Sequence, residues 1–215
     1  MNRSVLTGGL CQTTHGDLLV NASLVDAVES TGYVFADEGR GLKRRLGLIR
    51  GTDGGRLWTA PEYYPPDPFE FAGIITGPLP LSVDAIFMPH SVKTAAGVLG
   101  TGARLSRDDG ATFGGMELCF HDPLGHLNFC DSYFTVLPDG ELLSLIWTFT
   151  HPDSRKVNLH QSKSKDGERI WSHVATVLFS LFITPCLRTS FTCAPADSVI
   201  YYETREPAQY SLDSE

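Results

Sequence analysis

The chain has 215 residues, 42% hydrophobic and 20% charged, a balance that suits a folded globular protein and excludes a disordered chain as the default. Its 17 basic and 25 acidic residues leave a formal net charge of -8, with Lys43, Arg44 and Arg45 as the one basic cluster; such a surplus repels a phosphate backbone and argues against a nucleic-acid partner. Five cysteines, Cys11, Cys119, Cys130, Cys186 and Cys193, lack the spacing of a metal site and are odd in number, so buried free thiols are expected rather than a disulfide framework.

From the N-terminus, MNRSVLTGGL meets Gly8 and Gly9 before any apolar run as long as that of a signal peptide. No export signal is read there, and the expected location is cytoplasmic, or secreted or periplasmic if the N-terminus is truncated. Gly16-Asp17-Leu18-Leu19-Val20 reads as a turn that opens a strand,. A long polar stretch follows, holding Asp26, Glu29, Tyr33, Asp37, Glu38, Arg40 and Arg44. Gly51-Thr52-Asp53-Gly54-Gly55-Arg56-Leu57-Trp58 then sets an aspartate and glycines ahead of an aromatic, the composition of a tight turn leading into a strand. The proline-rich run from Pro61 to Pro68 is expected to connect two sheets, where a missing N–H breaks no ladder.

Further along, Ser106-Arg107-Asp108-Asp109-Gly110-Ala111-Thr112-Phe113 fits the pattern S-x-D-x-G-x-T-[W/F] at every specified position. Asp139-Gly140-Glu141-Leu142-Leu143 repeats the turn-then-strand signal, and Ser164-Lys165-Asp166-Gly167-Glu168-Arg169-Ile170-Trp171 repeats the serine, aspartate and aromatic with its glycine one place forward. The longest apolar run, Val174 to Ile183, includes Thr176 and Ser180 and reaches about half of the ~20 residues that span a bilayer. No membrane partner is read from it. Leu187 to Cys193 and Ser198 to Thr204 read as two more strands.

Spacing turns these fragments into a fold. In all three turns the aromatic lies five residues after the aspartate, and Asp53, Asp108 and Asp166 stand 55 and 58 residues apart. An aspartate can accept from the N–H groups of its own turn, glycine takes the positive φ, and the aromatic opens the next strand and packs inward. Repeated at a near-constant period, with the other strand signals in phase, this describes a four-stranded antiparallel unit, which is a propeller blade. The expectation is an all-β propeller over 1–215, with about four blades at approximately 4–64, 65–116, 119–178 and 179–215, the last incomplete. Closed propellers have about 4–8 blades. Open sheet edges pair with something, so either a partial chain or an oligomer through those edges is expected.

The three turns resemble the Asp box, or bacterial neuraminidase repeat, of the sialidase superfamily, and the resemblance covers most of the chain. It implies a sialidase-like propeller, six-bladed when complete, with a carbohydrate or glycoconjugate as partner; the boxes themselves lie on the rim, away from the site. Cys130 to Trp147 follows a sialidase-like frame, E-P-S-x-x-x-L-x-D-G-x-L-L-x-x-x-R, whose glutamate belongs to the catalytic site and whose arginine helps hold a carboxylate. In this chain Asp131 replaces the glutamate and Trp147 the arginine, and an aromatic there suits stacking on a neutral sugar. Ile200 to Pro207 resembles a Y-x-x-R-x-P segment, from which Arg205 is carried over as a substrate-facing cation.

The chemistry follows from that resemblance. An exo-sialidase binds its acid sugar with arginines and uses a tyrosine nucleophile, an activating carboxylate and an aspartic acid as general acid. Alternate strand connections lie on opposite faces of a propeller, so candidates come from the loops opposite the boxes: Asp26 to Arg44, Glu62-Tyr63-Tyr64, His121 to Asp131, and His151 to Arg155. The catalytic candidates are Asp131, Asp37 and Glu38, and the substrate-binding candidates are Arg205, Trp147, Arg40 and Arg155. His121, Asp122, His126 and Asp131 have the types of metal ligands, but Pro123 and Gly125 intervene in a loop and no metal is expected. Neither a phosphate-cradling glycine loop nor G-x-S-x-G occurs, so no cofactor and no serine hydrolase are read. The expected function is a sialidase-like exo-glycoside hydrolase acting on terminal sugars, fragmentary or inactive forms included. The alternative is a non-catalytic Asp-box propeller that binds carbohydrate or protein.

Overall fold

The computed structural model describes residues 3–26, 44–69, 72–95, 97–153, 155–166, 170–172 and 174–179. Among them there are strands and no helix. The first sheet holds β1 (Arg3–Gln12), β2 (Leu18–Asp26), β3 (Arg44–Thr52), β4 (Leu57–Trp58) and β5 (Glu62–Tyr64); β4 and β5 both pair with β3 and make one interrupted outer strand. The second holds β6 (Ala72–Ile74), β7 (Leu79–Pro80), β8 (Ile86–Lys93), β9 (Leu99–Ser106) and β10 (Glu117–Phe120), with β6 and β7 both pairing with β8 as an interrupted first strand. The third runs in order β11 (Leu127–Val136), β12 (Leu142–Thr150), β13 (Lys156–Ser164) and β14 (Ala175–Phe179). Each is thus a four-stranded antiparallel meander in chain order, and the fold is an all-β propeller type.

Two strand assignments differ from the sequence reading. Glu62–Tyr64, within the proline-rich run expected as a connection, pairs with Leu46–Leu48, because Pro61 interrupts the outer strand without ending it. Glu117–Phe120 belongs to the second sheet, so that blade runs past Met116. The strands expected beyond residue 179 lie outside the described residues.

Period-two alternation explains the packing. On β8, Ile86 and Met88 join Cys11, Leu19 and Leu48 of the first sheet, while Phe87 joins Leu142 of the third. A strand covered on both faces reads as the unbroken apolar run Ile86-Phe87-Met88. On β12, Leu142, Ser144, Ile146 and Thr148 are buried, leaving Leu143, Leu145, Trp147 and Phe149 half-buried on the opposite face,. Cys11, Cys119 and Cys130 form no disulfide; Cys11 is buried, and burial first, then the Asp109 charge, pushes its pKa up to about 11.

The β1–β2 and β11–β12 hairpins share one turn. Thr13 N–H donates to Asp17 O at 2.8 Å and Leu137 N–H to Glu141 O at 2.7 Å; Gly16 (φ 92) and Gly140 (φ 85) take the left-handed place that a three-residue hairpin loop demands.

All three aspartate turns are closed by the same backbone bond: Thr59 N–H to Arg50 O (2.9 Å), Gly114 N–H to Leu105 O (2.9 Å) and Ser172 N–H to Lys163 O (2.7 Å). In the second, Asp108 accepts from Ser106 Oγ (2.7 Å), Thr112 N–H (2.8 Å) and Thr112 Oγ1 (2.6 Å). Those bonds, Thr112 foremost, lower its pKa to about 2. In the third, Ser164 Oγ donates to Asp166 at 2.8 Å. The first turn is shifted: Gly55 N–H donates to Thr52 O and Asp53 takes φ 52, the conformation of Asp109 (φ 52) rather than of Asp108. Two glycines after Asp53 let the tight Asp-Gly turn form one residue early.

In the second and third turns the aromatic packs toward the preceding sheet. Phe113 packs on the first sheet's core, and Trp171 on Phe87, Phe120 and Phe134. Trp58 was expected inside but is 47% exposed. Its ring lies over Gly51, on the face of the first sheet that no described sheet covers.

Candidate functional site

Opposite the aspartate turns, two loops of the third sheet are tied together. Asp122 is buried, and its carboxylate accepts from the N–H groups of Leu124 (3.0 Å), His126 (2.7 Å) and Leu127 (2.9 Å). Burial opposes its ionisation, but the three donors outweigh that and hold its pKa below the ordinary value,. Asp122 is therefore a fixed anion that shapes the loop, with both oxygens engaged. His151 N–H donates to His126 O at 2.7 Å, and Asn128 Nδ2 lies 3.4 Å from His151 Nδ1. Asn128 Oδ1 accepts from Leu99 N–H at 2.9 Å, which fixes the loop pair to the second sheet. Among the described residues no three His, Cys, Asp or Glu side chains gather as a metal site.

Asp131 stands where β11 breaks register. The ladder passes from Cys130, paired with Trp147, to Ser132, paired with Ile146, leaving Asp131 as the extra residue of a β-bulge at φ 41. Such a φ is uncommon for a residue with a Cβ, and bulges re-aim a side chain out of the ladder. The buried contact of Ser132 Oγ with Thr101 Oγ1 (2.9 Å) pins the strand beside it to the second sheet. Asp131 reaches solvent, yet desolvation by the surrounding protein raises its carboxyl pKa. β1 carries its own irregularity, between Thr7 and Gly9, within one residue of the same level.

Trp147 lies across the ladder from Cys130, next to the bulge, in the half-buried row with Leu143, Leu145 and Phe149. Arg155 is exposed and paired with Asp153 at 2.9 Å, so its charge is already answered. Asp37, Glu38, Arg40 and Arg205 lie outside the described residues. Tyr133, two residues beyond Asp131 on the same strand and 43% exposed, was passed over in sequence. Tyr133 pairs with Leu145 as Cys130 pairs with Trp147, so across the bulge it shares the Cys130 face,, a placement that only the pairing with β12 reveals.

No family model and no curated protein matches the sequence. Solved structures do match in shape. A protein of unknown function from Dyadobacter fermentans aligns with a TM-score of 0.59 at 16% identity over 79% of this chain and 50% of its own. A Hadza microbial sialidase aligns at 0.52 and 18% identity, over 81% of this chain and 33% of its own. The GH93 α-L-arabinofuranosidase of Fusarium graminearum aligns at 0.53 and 11% identity, over 82% and 50%. The chain thus spans a third to a half of the length of these structures, and it has a glycosidase-like β-propeller fold.

Proposed function

We propose that this chain is a sialidase-like glycoside hydrolase region acting on terminal sugars, with Asp131 as its general acid. The single observation that carries the reading is the Asp131 bulge: a carboxyl held out of the ladder and open to solvent, whose pKa is raised by partial desolvation from the surrounding protein. A glycosidase acid must be protonated when it meets the leaving oxygen and must lose its proton in the transition state, which a raised carboxyl pKa favours. Trp147, across the ladder from Cys130, would offer a ring face to a neutral sugar. Asp37 and Glu38 are the candidates for the second carboxylate, and Arg40, Arg155 and Arg205 for holding the substrate. The pairing of Arg155 with Asp153 favours the alternative, a non-catalytic propeller that binds carbohydrate or protein.

The test is turnover of a panel of fluorogenic glycosides, including a sialoside and an arabinofuranoside, by the folded chain and by Asp131→Asn. The substitution is expected to lower kcat by about 10²–10⁴ with little change in KM, and to remove an alkaline limb set by the raised carboxyl. Activity untouched by Asp131→Asn rejects the role of Asp131; no turnover on any substrate from a folded sample moves the assignment to the binding module.

A further inference from the structure

Four buried polar side chains stand on two neighbouring levels of the seam between the first and second sheets. At the upper level Ser23 pairs with Leu46, which pairs with Tyr64, so these three form one row across the first sheet. The facing row of the second sheet is centred on His90, whose ladder partners are Ile74 and Gly102. The rows meet where the Tyr64 ring stands edge-on to His90, 5.7 Å between centroids. One level down, Asn21 pairs with Leu48 and Met88 with Arg104, and Leu48 and Met88 share a core cluster.

Each of these rows carries polar atoms that the described protein leaves unmet. Both ring nitrogens of His90, Ser23 Oγ, Asn21 Oδ1 and Arg104 Nε are buried without a hydrogen-bond partner. The Gly73 backbone lies near enough to His90 to favour its proton, but outside hydrogen-bond geometry. Arg104 spends its other nitrogens on Gly114 O and Pro65 O, both at 2.7 Å, and Asn21 spends Nδ2 on Thr76 O at 2.9 Å. His90 and Asn21 are fully buried. Burial, then the Arg104 charge, lowers the His90 pKa to about 3, so the ring is neutral, with one donor and one acceptor nitrogen.

We infer that ordered water molecules occupy this seam, bound by His90, Ser23 and Asn21 as part of the fold. Buried polar groups are nearly always satisfied, and a buried water typically makes about three hydrogen bonds to such groups. The set offers both donors and acceptors, as water requires. A cation is disfavoured by the Arg104 guanidinium, and no carboxylate is among the four groups to hold one. The corresponding seam between the second and third sheets has one unmet buried atom among those described, Ser144 Oγ.

A near-atomic-resolution crystal structure of the full chain should show density within about 3 Å of a His90 nitrogen and of Ser23 Oγ or Asn21 Oδ1. A seam closed by side chains alone overturns the inference. Thermal unfolding gives an independent sign. His90→Phe keeps a ring of similar size but strips the water of its partner, so Tm should fall; a rise, as expected when two unmet nitrogens leave a dry site, overturns it. Ser23→Ala is the milder variant should His90→Phe not fold, and it too should lower Tm.

Discussion

Between the first and second sheets, Asp109 reaches from the β9–β10 turn to the β1–β2 hairpin, where it accepts from Thr14 N–H (3.0 Å), Thr14 Oγ1 (2.5 Å) and His15 N–H (3.2 Å) and meets His15 Nδ1 at 2.7 Å. Arg50 answers from β3 to the carbonyls of Gly110 and Ala111 in the same turn. Between the second and third sheets the Thr101–Ser132 and Leu99–Asn128 bonds also cross, but on the side of the aspartate turns the crossing is made by rings: Phe87 against Phe134 at 5.2 Å, and Trp171 against Phe120 at 5.1 Å, edge-on. The same strand order therefore supports a polar seam and an aromatic one. What a blade requires is a filled face at the right spacing, and the chemistry that fills it is free to change.

The largest expected effect falls on the aromatic seam. Phe87 is 1% exposed and touches both Phe134 and Trp171, so Phe87→Ala should cost about 3–5 kcal/mol, read as a lower urea midpoint with the loss unchanged between low and high salt. A cost under about 1 kcal/mol, well below that range, would mean the rings repack and the seam has another source of cohesion.

The polar seam should yield first to acid. Burial works against ionisation of Asp109, but the Thr14 and His15 donors outweigh it and hold its pKa well below the usual carboxylate range. A depressed folded pKa contributes stability that is full above the unfolded value of about 3.9 and is lost as pH falls through the folded value. Hydrogen exchange at the β1–β2 hairpin should therefore accelerate below about pH 4, ahead of the β11–β12 hairpin. Asp109→Asn should lower stability at neutral pH and flatten that acid dependence; an unchanged pH profile would remove Asp109 as the clasp.

How much of this could be read from sequence depends on range. The turn at Asp108 was legible because its partners, Ser106 and Thr112, lie within four residues and only one geometry joins them. The period carried the sheets for the same reason, each meander being local. Asp109 was not legible: it fills an unspecified place in the pattern, and its partners are about 95 residues away. The shift at Asp53 was hidden by alignment on the aspartate, although Asp53-Gly54 is itself a tight-turn signal. Asp131 was singled out as a candidate by frame, yet the bulge that exposes it arises from pairing with β12, which no single strand reveals. The row that holds Trp147 follows from which face of β12 meets the second sheet, a tertiary choice.

The smallest effect tests the directional rule that each turn's aromatic packs on the sheet before it. Trp58 and Trp171 hold the same place relative to the closing backbone bond, but Trp171 enters the Phe87, Phe120 and Phe134 cluster while Trp58 covers Gly51 and donates Nε1–H to Gly55 O at 2.7 Å. Trp58→Ala should accordingly cost about 1 kcal/mol or less, and acrylamide should quench Trp58 far more than Trp171 in variants that keep one tryptophan at a time. Equal quenching would place both rings in similar surroundings and break the rule, because a ring sandwiched between sheets is shielded from a solute that a ring on an uncovered face must meet.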